Sequence, residues 1–392
     1  MQKKRGKMRK LIFTKGTLPA LDYFTEQFCA ACEQNGWEYT VAEMGKPLTE
    51  QVFASWVTSG EPCLAVIFNN VGLWLKMGDR NFWEQHHVPV VNILVDHPRA
   101  FYRYLEEPLQ DLTFCCIDRN HVEFVRKFYP AADVVFLPHG GNREGELIPW
   151  AERPIDILLL SSCQAKPELY LIDRLPDQGA SFYQMVIPAL REQDSVTSEA
   201  AVQAYLAQTG QEDFPLEKYL NESYAFTCEN HARRFYKKNL LRAFSEAGLS
   251  VEVYGEHWDD ENETYGPGIR LHGRIPARDC NALMPQAKFA LNAMPWFRDG
   301  SHERVFNAMC NGAIPVTDES LYFREILTEG ENALFYDRKH PEAVTARIKA
   351  LLARPDDGAR MAENGRVFAE ENATWEVRLK EILELAERER TF

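Results

Sequence analysis

Residues 299–304, Asp-Gly-Ser-His-Glu-Arg, place two carboxylates, an imidazole and a guanidinium within six positions. Val305, Phe306, Ala308 and Met309 follow at once. The pattern predicts a helix with a charged first turn and a buried side. Backbone N–H groups of Gly300 and Ser301 at its N-terminus suit phosphate or sugar oxygens. Arg304, just inside, presents a planar fork that matches phosphate; an ion pair with Glu303 or Asp299 is the structural alternative. Asn311-Gly312 ends the helix, Gly312 as a left-handed C-cap, before the apolar run Ala313-Ile314-Pro315-Val316-Thr317.

A second set of chemistry-bearing residues lies earlier. Asp96 and His97 close an apolar run, and an acid beside an imidazole can hold a proton acceptor for an attacking hydroxyl. The structural alternative is a loop turned by Pro98 and capped by Asp96. His139, before Gly140-Gly141, is a further candidate, as a base or as a residue that positions a hinge or touches a sugar. Asn69-Asn70 and His302 are lesser candidates for sugar contact. His86-His87 read as a surface loop, and two adjacent histidines do not make a metal site. Lys15-Gly16, Gly255 and Gly273-Arg274-Ile275 also follow apolar runs.

The elements that must position these residues alternate. KLIFTKG, CLAVIFNN, VPVVNILVDHP, LTFCCID and ADVVFLPHGG are short apolar runs without clean alternation, as in strands covered on both faces. Between the first two, residues 18–36 carry Leu21, Phe24, Phe28 and Cys32 at helical spacing and stop at Asn35-Gly36. A doubly wound α/β domain over about 10–140 follows. A second series starts at PIDILLLSS and continues through a helix at 231–247, SVEVYGEHW, IRLHGRIP, a helix at 277–287, KFALNAMPW and NALFYD. The chain is helical from about 341. The expected organisation is a basic tail 1–9, an N-terminal domain 10–145, and a C-terminal domain 150–373 with a helical insert 163–230. A C-terminal helix, 374–392, ends the chain. In open α/β sheets ligands gather beyond the C-terminal strand ends, where every candidate above sits.

Bulk properties narrow the field. The chain has 392 residues, 45% hydrophobic and 12% aromatic, enough for two globular cores. A formal charge of −14 argues against a nucleic-acid partner. Nine cysteines have no framework spacing, and Cys29-x-x-Cys32 has no second pair to complete a zinc site. Buried, reduced thiols of a cytoplasmic protein are expected. No run approaches a membrane span; the basic tail leaves only a weak peripheral membrane contact open.

The order of these pieces resembles the GT-B glycosyltransferases of group 1 (GT4-like). FLPHGGNREGELIP is similar to their domain-junction segment, and PWFRDGSHERVFNAMCNGAIPVTD resembles their donor-site block, P-x3-E-G-x6-E-A-M-A-x-G-x-P-V. The tail TEGENALFYD through TWEVRL is also similar, and Arg-Val-Phe-x-x-Met-x-x-Gly is closest to the CgeB-like branch. The resemblance covers 231–390 well and 10–160 loosely, and leaves the 163–230 insert uncovered.

It implies a GT-B architecture, two Rossmann-like doubly wound domains facing each other across a cleft, with the last helix packing back towards the N-terminal domain. It also implies transfer of a sugar from a nucleotide-sugar donor to an acceptor, metal-independent and retaining. No cofactor is expected beyond that donor, and the acceptor is open among protein, glycan and small molecule. Asp299 and Asn307 take the places of two glutamates that contact sugar and ribose, and Glu303 is a candidate for supplying the missing carboxylate. Lys15, Gly16, Gly255, Gly273, Arg274, Ile275, Asp299, Gly300, Ser301, His302, Glu303, Arg304 and Asn307 form the expected donor set. Asp96, His97 and His139 form the catalytic set. The replaced glutamates leave two rival readings, a sugar-nucleotide epimerase and a non-catalytic scaffold.

Overall fold

The computed structural model describes residues 10–46, 57, 63–165, 177–193, 196–211, 223–259 and 264–389. The basic tail 1–9 and, within the insert, 166–176, 194–195 and 212–222 lie outside the described residues. The chain divides into two compact units, Met1–Asn142 with Glu370–Phe392, and Arg143–Ala369.

In the first unit, β1 (Lys10–Lys15), β2 (Glu38–Glu43), β3 (Cys63–Phe68), β6 (Val90–Leu94), β7 (Leu112–Cys116) and β8 (Asp133–Phe136) form a parallel sheet. A two-stranded hairpin, β4 (Lys76–Met77) and β5 (Arg80–Asn81), lies between β3 and β6 in the chain. The sheet order is β2-β1-β3-β6-β7-β8. β3, β6 and β7 are buried along their whole length, the reason their sequences lack alternation. The edge strand β2 is mostly half-buried and mixes polar with apolar residues, so it carries no such run.

Helix Pro19–Asn35 starts with proline at its first turn and ends at Gly36 in the left-handed conformation. It buries Leu21, Phe24, Phe28 and Cys32. The ring of Trp375, at the start of helix Trp375–Glu389, lies 5.0 Å from Phe24, 5.4 Å from Phe28 and 5.8 Å from Phe68. Arg378 on that helix is 3% exposed; its Nε donates to His139 O at 3.0 Å and its Nη2 to Asn372 O at 2.9 Å.

The second unit contains β9 (Ile155–Leu160), β10 (Val251–Tyr254), β11 (Ile269–Leu271), β12 (Ala287–Asn292), β13 (Ile314–Asp318) and β14 (Leu334–Tyr336). They are all parallel, in the order β11-β10-β9-β12-β13-β14. Counted from β9 this is the Rossmann order 3-2-1-4-5-6, with the reversal between β9 and β12. Ile157, Leu159, Val251, Val253, Phe289, Leu291, Ile314 and Val316 line one face of the sheet's core. Leu158, Leu160 and Ala290 belong to a second cluster with Met284, Ala308 and Ala313.

Helix Ser223–Glu246 begins eight residues before the expected 231. Its first turns bury Ala225, Cys228 and Glu229, which the apolar spacing of the later turns does not reveal. Insert helices Asp177–Glu192 and Ser198–Gln208 pack on it. The Ser198 hydroxyl donates to Glu229, and the Tyr236 hydroxyl donates to Arg191 O at 2.5 Å. None of the nine cysteines is in a disulfide; Cys29 and Cys280 are half-buried and the others buried.

Candidate functional site

The sheet order directs attention to the β9/β12 reversal, where crossovers leave in opposite directions and open a crevice. Asn292 closes β12 there. Its Nδ2 donates to Thr317 Oγ1 at 2.9 Å, its Oδ1 accepts from Arg304 Nη1 at 2.5 Å, and its carbonyl accepts from the Tyr336 hydroxyl at 2.9 Å. Asp318, the last residue of β13, accepts the Met294 N–H on Oδ1 at 2.9 Å. The ends of β12, β13 and β14 and the first turn of helix Glu303–Cys310 thus form one polar network. Burial raises the Asp318 carboxyl to about 7, although the Met294 amide and the Arg298 and Arg304 cations pull it down. Burial also lowers Arg304, opposed by the nearby Glu303 carboxylate.

The helix start differs from the sequence expectation. His302 is the N-cap, with extended backbone, and the first helical residue is Glu303. Gly300 and Ser301 therefore lie before the helix and do not offer its free N–H groups. Ser301 is fully buried, and Gly300 O accepts the Ser320 hydroxyl at 2.8 Å. Asp299 is half-buried outside the helix, so Asp299 and Asn307 do not span two turns of one helix. The physical reason is that the chain from β12 remains irregular through Ser301, so helical backbone begins only after His302.

His302 Nδ1 lies 2.6 Å from Glu303 Oε2 and 3.3 Å from the Arg304 amide nitrogen. One nitrogen serves one of these at a time, and the shorter, charge-assisted contact favours Nδ1–H donating to the carboxylate. Burial pushes the imidazole below its ordinary value against the pull of Glu303. Asn307, 3% exposed, donates from Nδ2 to Asn281 Oδ1 at 3.3 Å, and its carbonyl accepts from Asn311 Nδ2 at 2.7 Å. Gly312 has φ +66°, and a Cβ there would lie 2.7 Å from Arg153 Nη2.

Gly255 and Gly273 are joined, Gly255 N–H donating to Gly273 O at 2.7 Å. Gly255 has φ +152°, and a Cβ would meet Ser161 O at 2.3 Å, so only glycine lets β9 and β10 exit side by side. Arg274 is exposed, 3.7 Å from Glu256, and Ile275 is half-buried beside it.

Lys237, Asn292, Trp296 and Asp318 were not singled out by the sequence reading. Lys237 on helix Ser223–Glu246 is 4% exposed; its Nζ donates to Ser162 O at 2.8 Å and lies 5.2 Å from the Trp296 ring centre. Arg233, one turn earlier, stacks on the same ring at 4.3 Å. Asn292 and Asp318 could have been found as polar residues ending apolar runs. Nothing in the helical pattern distinguishes Lys237 from a solvated lysine.

The first unit holds Lys15, Gly16, Asp96, His97 and His139. Asn69 and Asn70, after β3, both have positive φ, 45° and 62°. Asn69 Nδ2 donates to Asp96 Oδ2 at 2.9 Å, and its Oδ1 accepts from Val95 N at 2.9 Å. His97 turns elsewhere: Nδ1 accepts from Arg99 N at 3.2 Å, and the ring packs 4.5 Å from His121 and 4.9 Å from Phe124. Asp96 is thus bonded to Asn69, while His97 bonds to Arg99 and packs on His121 and Phe124. His139 is 2% exposed, its ring 6.3 Å from both Phe24 and Trp375. Gly16 N–H donates to Asp22 Oδ1 at 2.7 Å, and Lys15 O accepts from Met44 N at 2.7 Å.

The family described as glycosyl transferase-like matches residues 233–384, a segment that includes Lys237, Arg304 and Asp318. Among curated proteins no sequence matches the chain. An alpha-glucosyltransferase solved with UDP and a 13-mer DNA containing an HMU base is similar in fold, with TM-score 0.59 and 12% identity over 97% of this chain and 99% of that one. An alpha-glucosyltransferase solved with UDP-glucose and DNA containing an abasic site has TM-score 0.56 and 13% identity over 97% and 99%. A sucrose-phosphate synthase from Thermosynechococcus elongatus has TM-score 0.51 and 11% identity over 98% and 100%. The two Rossmann-like units share the GT-B fold of these structures, and residues 233–384 match the glycosyl transferase-like family. No helix among the described residues is long and apolar enough to cross a membrane.

Proposed function

We propose that the protein transfers a sugar from a nucleotide-sugar donor, bound by the second unit, to an acceptor hydroxyl. The observation that carries this reading is Arg304, held by a neutral amide at the β9/β12 reversal. A guanidinium bonded to a neutral amide retains donors for a diphosphate. Gly273, Arg274 and Ile275 border the same strand ends and meet the base through main chain. Glu303, with Asn307 four residues on, supplies sugar or ribose contacts. Asp96, exposed and oriented by Asn69, is the better placed candidate base in the first unit; His139 positions the chain there.

Transfer is metal-independent and retaining in this reading, the sequence belongs near the CgeB-like branch, and the protein works in the cytoplasm. The acceptor is a protein, glycan or small metabolite. The DNA in the alpha-glucosyltransferase structures is not carried over, because a chain of formal charge −14 repels a polyanion.

The test is incubation with a panel of nucleotide sugars, with and without EDTA. Slow release of free nucleoside diphosphate, unaffected by EDTA, is the expected result. Epimerised donor instead identifies a sugar-nucleotide epimerase, and absence of binding to any nucleotide sugar identifies a scaffold.

A further inference from the structure

Asn92 stands in the middle of β6, in the run Val-Val-Asn-Ile-Leu, and is fully buried. It lies opposite Ile67 of β3 and Phe114 of β7. An amide in such surroundings is costly unless its hydrogen bonds are met. Here they are met by one residue of the turn that follows β3. Asn92 Oδ1 accepts the Asn70 N–H at 3.0 Å, and Asn92 Nδ2 donates to Asn70 Oδ1.

The turn is itself held at a cost. Asn69 and Asn70 both have left-handed backbone, which asparagine tolerates better than most residues but not freely. Asn70 is 2% exposed, and its Nδ2 is buried without a hydrogen-bond partner. Strained backbone and unmet buried amides collect at functional sites, where the surrounding structure sustains them. What this turn achieves is the placing of Asn69. The Asn69 N–H donates to Ile93 O at 2.9 Å, and its side chain bridges the Val95 amide and the Asp96 carboxylate. A chain of hydrogen bonds therefore runs from a buried strand position, through Asn70 and Asn69, to an exposed acid.

We propose that Asn92 is a positioning residue for Asp96: it clamps Asn70, fixes the left-handed turn, and so aims the carboxylate at an acceptor hydroxyl. This rests on the reading of Asp96 as the candidate base given above. Asn92 acts through Asn70 and Asn69 and is itself sealed within the sheet. Without the clamp the turn relaxes and Asp96 loses its direction, and a displacement of about 1 Å is enough to cost ~100-fold in rate. Donor affinity, which belongs to the second unit, does not depend on it.

The experiment follows release of nucleoside diphosphate from UDP-glucose, ADP-glucose and GDP-mannose, with water as acceptor. It compares wild type, Asn92→Leu, Asp96→Ala and the double variant, with calorimetry of UDP, ADP and GDP binding alongside. Asn92→Leu, similar in volume, should lower kcat between about 10- and 100-fold while donor KM and nucleotide Kd stay within about twofold. In the Asp96→Ala background the same substitution should cost less than about threefold further, because its effect passes through the carboxylate. Asn70→Gly keeps the left-handed backbone but loses the side-chain half of the clamp, and its kcat should fall between the other two. Equal losses in both backgrounds mark a purely structural role and overturn the proposal, as does wild-type kcat in Asn92→Leu or in Asp96→Ala. All three results leave the donor reading intact. Nucleotide binding without release from any donor also overturns the proposal alone, whereas failure of the wild-type protein to bind any of the three nucleotides overturns both. If Asn92→Leu does not fold, Asn70→Gly carries the same comparison.

Discussion

Arg304 Nη1 donates to Asn292 Oδ1 at 2.5 Å, tying the first turn of a crossover helix to the end of the strand that precedes it. The amide orients the guanidinium without neutralising it. Replacing Arg304 by alanine should weaken nucleoside diphosphate binding by about 2–3 kcal/mol, the scale of a charge-assisted hydrogen bond. Arg304→Lys should recover only part of this, since an ammonium cannot serve amide and phosphate with one planar fork. Titration calorimetry checks both, and unchanged affinity in the alanine variant removes Arg304 from the site.

Asp318 has a pH signature of its own. Its folded-state carboxyl lies at about 7, above the ordinary carboxylate range, so the folded protein binds this proton more tightly than the unfolded chain. Its contribution to stability is present in full below about pH 4, is lost as pH rises towards 7, and stays lost above that. Asp318→Asn removes this slope. Urea unfolding at pH 5 and pH 8 should show the variant gaining on wild type by about 2–3 kcal/mol at the higher pH, on the order of two pKa units' worth, since part of the loss is already complete at pH 5. A constant difference between the two proteins would place the carboxyl at its ordinary value.

Gly255 tests the close passage of two strand ends. Alanine there would bring Cβ to 2.3 Å from Ser161 O at φ +152°, combining backbone strain with a clash against main chain. A loss of about 2–4 kcal/mol is expected from the two together. Thermal unfolding reads it directly, and a melting temperature within a degree of wild type would contradict the geometry.

Arg378 tests the last helix in the first unit. It satisfies the carbonyls of His139 and Asn372 and pairs with Glu381 at 2.9 Å. Arg378→Ala removes donors from two carbonyls, and about 2–4 kcal/mol of unfolding free energy should go with them. Arg378→Gln, which keeps one pair of donors, should lose less. Equal stability of all three proteins in denaturant would show that water replaces the guanidinium freely.

Much of the fold was legible because burial on both faces leaves apolar runs. β3, β7 and β9 stand out in CLAVIFNN, LTFCCID and PIDILLLSS for that reason. β2 did not, because an edge strand can mix polar residues into its pattern. The helix after β12 was legible as well, yet its first residue was not. Whether Gly300, Ser301 or His302 caps it depends on the path of the preceding loop, and three residues able to begin a helix stand in a row.

The sequence by itself determined the alternation of strand and helix, the buried side of residues 305–310, and the placing of polar residues after strand ends. Those follow from local periodicity and from the cost of burying unpaired polar groups. Only the tertiary structure decided which strand ends are neighbours. Strand order is set by packing over the whole unit, so the meeting of Arg304 with Asn292, and of Lys237 with a carbonyl 75 residues earlier, has no local signal. It also gave Asp96 and His97, adjacent in the chain, their partners: Asn69 for the one, Arg99 and His121 for the other.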